Sequence, residues 1–73
     1  MIEFEERVGA RKALPPPPVR RALRVAAGAS LADVARACSV SRQAVHQWES
    51  GLYEPRGANL VAYAEALRVL QGP

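Results

Sequence analysis

The sequence predicts an all-α fold, a compact four-helix domain over residues 19–73 preceded by an extended N-terminal arm and proline spacer over residues 1–18. Three observations predict it. Apolar residues recur at helical spacing in four runs separated by Gly, Pro and Ser. Apolar residues make up 49% of the chain and aromatics only 5%, an Ala, Val and Leu composition that suits a helical globule rather than a disordered chain. Finally, 73 residues form one domain at most, with a small core that hides roughly 60% of the unfolded surface.

In residues 1–12, MIEFEERVGARK, Ile2 and Phe4 alternate with charges, which fits a short strand or a loose arm. A strand is more credible paired with a second copy, because alone it leaves both backbone edges open. Arg7, Arg11 and Lys12 close the stretch as a basic cluster. Pro15 to Pro18 then favour the extended left-handed form, a stiff spacer rising about 3.1 Å per residue. Together with Arg20 the run spells Pro15-x-x-Pro18-x-Arg20, a spacing similar to SH3 ligands that any proline run beside a basic helix also produces. The first helix begins at Pro18 or Val19 and runs to Ala27, with Gly28 ending it. Val19, Ala22, Leu23 and Ala26 form its inward face, and Arg20, Arg21 and Arg24 lie on the others.

Residues 30–51, SLADVARACSVSRQAVHQWESG, organise the domain. Ser30 and Asp33 can each satisfy an unpaired backbone N–H at a helix start. Leu31, Val34, Ala35 and Cys38 follow on one face, and Ser39-Val40 makes a turn with Val40 as an apolar plug. Ser41 caps the next helix, whose apolar side is Val45 and Trp48 and whose left-handed stop is Gly51. A turn this short makes the two helices cross steeply, the geometry of a helix-turn-helix. LYEPRGAN reads as a loop with Asn59 capping the last helix. Leu60, Tyr63, Ala64, Leu67 and Leu70 form that helix's stripe, and Val61 and Val69 widen it enough to call for cover by a second subunit.

Arg42, Gln43, His46 and Gln47 share the face turned away from Val45 and Trp48, with no carboxylate among them. Arginine can bond both acceptors of guanine, and glutamine the acceptor and donor of adenine, so this face suits major-groove base edges; the bland alternative is a solvated polar face. Net charge is +3, but eight basic residues and only Asp33 among the acids lie between Arg7 and Arg42, a regional field that attracts polyanions. Arg7, Arg11 and Lys12 suit DNA phosphates or a minor groove, against the alternative of a frayed tail. Cys38 is the single cysteine, so a disulfide within the chain is excluded and a reducing cytoplasm is expected, with Cys38 packed in the core. One Cys and one His leave no metal-site spacing, and neither metal nor cofactor is expected. Cys38 inside and His46 outside are kept apart, so no catalytic residue is expected. Neither a leader peptide nor a membrane span is read from the sequence.

SLADVA, the turn SVSR and WESG followed by Pro55 resemble the Xre/Cro-type helix-turn-helix regulators, a likeness that covers residues 19–70. The resemblance implies that Ala35 sits where the helices cross, that Val40 plugs the turn, and that Arg24 and Glu49 form a structural ion pair. It also implies base contacts from Arg42, Gln43 and Gln47, either role for His46, and phosphate contacts from Ser41 and Arg56. The chain departs from the family at Ser39, where a left-handed glycine is usual, and at Leu31, where a phosphate-bonding glutamine is frequent; a fifth, dimerising helix is missing. The expected function is sequence-specific binding of double-stranded DNA by a transcriptional regulator, a phage or mobile-element repressor or Cro-like protein, as a homodimer at least on DNA. The competing expectation is a protein-interaction module that binds an acidic or host partner through the basic arm and proline run.

Overall fold

The computed structural model describes residues 3–72, so the Ile2 part of the strand reading lies outside it. The described residues form five helices and no strand: α1 (Phe4–Ala13), α2 (Pro17–Ala26), α3 (Leu31–Cys38), α4 (Arg42–Ser50) and α5 (Gly57–Leu70). The all-α class holds. The extended arm does not, because residues 4–13 are helical and the helix count rises from four to five.

Charge and packing explain α1. Glu5 and Glu6 occupy its first turn and Arg11 and Lys12 its last, each opposite in sign to the adjacent end of the helix dipole. A ten-residue helix is marginal alone, and Ala10, buried against Leu60 and Ala64 of α5, supplies the tertiary contact. What looks like period-two alternation near Phe4 is the start of a 3.6-residue pattern, in which Phe4 and Val8, and Arg7 and Arg11, lie one turn apart.

The proline run also differs from a four-residue spacer. Leu14 and Pro16 are extended, with ψ of 119° and 151°, but Pro17 and Pro18 form the first turn of α2, where a missing N–H costs nothing. The run is a bend between two helices, so Pro15-x-x-Pro18 is not one extended ligand. The inward face of α2 is corrected too. Val19, Ala22 and Ala26 are exposed, Leu23 is half-buried, and Arg20 is the buried residue of the helix. Arg20, Leu23 and Arg24 therefore make the packed stripe, and two guanidiniums lie along it.

Both guanidiniums are held by several bonds. Arg20 Nε donates to the Pro15 carbonyl at 2.8 Å and Nη1 to the Trp48 carbonyl at 3.0 Å, while Nη1 and Nη2 meet the Glu54 carboxylate at 3.1 Å each. Arg24 Nε and Nη2 donate to Glu49 at 2.6 and 3.0 Å, and Nη1 donates to the Ala29 carbonyl at 3.0 Å. The Glu49 bond holds the Arg24 guanidinium above its ordinary pKa. Bidentate contact with a carboxylate, with backbone carbonyls taking further donors, is what makes such burial tolerable.

Local signals set α3 and α4. The Asp33 N–H donates to Ser30 Oγ at 3.0 Å and the Ser30 N–H to Asp33 Oδ2 at 2.8 Å, a reciprocal capping box. Ser39 closes α3 in the left-handed region, φ 57° and ψ 44°. Its N–H donates to the Arg36 carbonyl and that of Val40 to the Ala35 carbonyl, so the helix ends in a Schellman motif with serine in glycine's place. The Ala44 N–H donates to Ser41 Oγ at 3.1 Å. Gly51 ends α4 at φ 79°, and a Cβ there would meet Pro17 Cγ at 3.3 Å, so the position needs glycine for conformation and for close approach to α2.

The main core joins Val34, Ala35 and Cys38 of α3, Val45 and Trp48 of α4, and Tyr63 and Leu67 of α5. Trp48 and Tyr63 pack as a tilted pair with ring centroids 4.7 Å apart. The last helix begins at Gly57 with Arg56 at its N-cap, so Asn59 lies in its first turn and is not the cap. Val61 is half-buried in the cluster holding Ala10, Leu60 and Ala64. Part of the wide apolar stripe of α5 is thus covered by this chain's own α1.

Candidate nucleic-acid interface

With Val45 and Trp48 buried, α4 is fixed in rotation and its opposite face is committed to solvent. Arg42, Gln43 and His46 are exposed there, and all three border one shallow depression of about 290 Å³ beside Leu31. His46 also borders the adjoining depression with Arg21, Glu49 and Ser50. Gln47 is apart from this group: it is half-buried and lines neither depression. Its carbonyl takes the Ser50 hydroxyl at 3.0 Å and the Leu52 N–H at 3.1 Å, which closes α4.

Ser41 Oγ accepts at the start of α4, and its O–H remains a donor for an outside acceptor. The first turn of α4 contains no acid, so Arg42 adds to the positive end of the helix dipole. Leu31 is half-buried, packs against the main core and gives the depression bordered by Arg42 and His46 an apolar wall.

Carboxylates divide the cations into two kinds. Glu54, Glu49, Asp33 and Glu65 take Arg20, Arg24, Arg36 and Arg68. Among the described residues, Arg7, Arg11, Lys12, Arg21, Arg42 and Arg56 have no salt-bridge partner. Arg7, Arg11, Lys12 and Arg56 come together around a cleft of about 510 Å³ between α1 and the start of α5. The sequence placed these four on separate segments, an arm and a loop, and their convergence depends on α1 being a docked helix.

Glu49 is buried and bonded to Arg24, and only borders the depression beside His46. Arg20 was missed as a structural residue, since its partner Glu54 is remote in sequence. The i,i+4 pairs Phe4–Val8 and Arg7–Arg11 are the signal that would have revealed α1. Cys38 is buried and burial pushes its thiol pKa up, while His46 is exposed. Among the described residues no group of three or more His, Cys, Asp or Glu could hold a metal ion, and no helix is long and apolar enough to cross a membrane.

A family model described as helix-turn-helix matches residues 21–69. The match takes in most of α2, all of α3 and α4, and α5 almost to its end; α1 lies outside it. No curated protein and no solved structure matches the chain.

Proposed function

From a chain that belongs to the helix-turn-helix family of DNA-binding transcriptional regulators, we propose a sequence-specific repressor, of the phage or mobile-element or Cro-like kind, that reads the major groove with α4. The observation that carries this reading is the exposed, carboxylate-free group of Arg42, Gln43 and His46 on the one face of α4 that the core does not use. Arg42 supplies the bidentate donor that guanine accepts, and Gln43 the paired donor and acceptor that adenine needs. Gln47, at the flank, reaches a base only by extending from its half-buried position. Ser41 gives its free O–H to a backbone phosphate.

A homodimer on DNA belongs to the same proposal. One recognition helix reads only a few base pairs, so useful selectivity calls for two half-sites about 34 Å apart with inverted symmetry. The longest dimension of this chain, 32 Å, is about that spacing. Selecting duplexes from a random pool with the purified protein tests both parts. An inverted pair of half-sites at one-turn spacing is expected. A single unrepeated half-site at one-to-one stoichiometry removes the dimer, and no enrichment over the starting pool removes base reading.

A further inference from the structure

We infer that the cleft between α1 and the start of α5 is a second phosphate site, which grips the sugar-phosphate backbone of the bound duplex outside the bases read by α4. The inference rests on the DNA-binding reading above and adds a site that lies partly beyond the matched residues.

Three features of the cleft point to phosphate. Its charged lining is entirely cationic: Arg7, Arg11 and Lys12 come from one face of α1 and Arg56 from the N-cap of α5. The acids at the start of α1, Glu5 and Glu6 with the N-cap Glu3, precede these residues, and none of them lines the cleft. The four cations are also free of carboxylate partners among the described residues, although Arg20, Arg24, Arg36 and Arg68 are all paired. Four like charges held together unpaired repel one another, so the arrangement gains most from an anion of high charge density.

The lining also discriminates between kinds of phosphate ligand. Its remaining walls include Phe4, Val8 and Leu60, and no Asn, Gln, Ser, Thr or acidic side chain borders it. A nucleobase would find no group to read its edge, whereas a repeating backbone phosphate needs only cations. Scale fits as well: the chain measures 32 × 27 × 20 Å, less than one turn of duplex, roughly 34 Å. Arg56 follows the end of α4 by six residues, a reach of roughly 20 Å at most.

Deleting α1 is a poor test, because it also strips cover from Leu60 and Ala64. Glutamine at Arg7, Arg11 and Lys12 together removes the charge from exposed positions and keeps Ala10 and helix propensity. Binding of the selected duplex and of a random one, measured between about 50 and 200 mM salt, should lose up to about 0.9 of the log–log salt slope per lost phosphate contact. Both duplexes should weaken by similar factors with the preferred sequence unchanged. Arg56→Gln, on the opposite wall, should lower the slope by about 0.9, and Arg7→Lys/Arg11→Lys should keep it. Parent-like slopes in the triple and Arg56 variants, with native amide spectra, would overturn the inference while leaving base reading intact. Lowered slopes without any sequence preference would instead retain this site and remove α4 as reader. A parent that binds no duplex overturns both. Titration with inorganic tripolyphosphate completes the set: tight one-to-one binding lost in the triple variant, with duplex slopes unmoved, would reassign the cleft to a free polyphosphate and overturn the backbone assignment.

Discussion

Ser39 holds a left-handed backbone, φ 57°, that costs a non-glycine residue about 1–2 kcal/mol. Glycine relieves that strain but gives back part of the gain as unfolded-chain entropy, roughly 0.4–1 kcal/mol. Ser39→Gly should therefore stabilise the protein by about 0.5–1 kcal/mol in urea unfolding, with DNA preference unchanged. A loss of stability would show that the serine side chain contributes more than the turn demands. Tyr63 presents a different misfit: it is 1% exposed and its hydroxyl has no hydrogen-bond partner among the described residues. Tyr63→Phe should raise stability by about 1 kcal/mol, since a buried unpaired hydroxyl carries a desolvation cost. Burial also raises the phenol's pKa above its ordinary 10.0. Its neutral form is thus favoured in the fold: the contribution is complete below pH 10 and lost as pH rises toward the folded value. Cys38, raised from 9.0 by burial, acts with the same sign. Melts of the parent should fall on the alkaline side, and Tyr63→Phe should flatten that fall; an identical alkaline limb in both proteins would contradict it.

At the scale of elements, the Arg24–Glu49 bridge binds α2 to α4. Its side chains are 12% and 5% exposed, so removing one partner strands a charge at a cost of about 3–5 kcal/mol. That is a large share of the roughly 4–11 kcal/mol open to a chain this long. Glu49→Ala should melt far below the parent, and the apolar pair Arg24→Met/Glu49→Leu should recover much of the loss. Parent-like melting of Glu49→Ala with altered base preference would make Glu49 a reader instead. On the outer face the expectation reverses. Alanine at Arg42 or Gln43 should cost about 1–3 kcal/mol on the selected site and relax choice at particular base pairs, with unchanged melting. Equal losses on random DNA would make them phosphate contacts. The α3–turn–α4 unit was legible because its determinants are local: the Ser30–Asp33 box, the Ser41 cap, Gly51 and the Val45–Trp48 spacing all act within a turn or two. The start of α5 was misplaced because its first residue, Gly57, reads as a loop breaker, yet its φ of 56° turns the chain into the helix.

Over the whole molecule, what escaped the sequence was non-local. The Phe4 stretch reads as strand or tail until Leu60 and Ala64 offer Ala10 a surface. Arg20 reads as lying off the inward face of its helix until Glu54, 34 residues on, and the Trp48 carbonyl enclose it. The same limit hid the basic cleft, since no window of sequence contains both Arg11 and Arg56.

Arg20 has a consequence for local opening. One guanidinium is fastened to the linker at Pro15, the end of α4 at Trp48 and the following loop at Glu54. Opening any one of these three exposes a buried charge to the loss of its remaining partners, so they should open together as a single sub-global unit. Amide hydrogen exchange can see this: the N–H groups of Val19 and Arg20, bonded to Pro16, and of Leu52, bonded to Gln47, should share one opening free energy. In Arg20→Met the shared value should split, leaving the loop amide exchanging faster than the helix start. The end of α4 and the linker to α1 would then open independently, each with its own exchange rate.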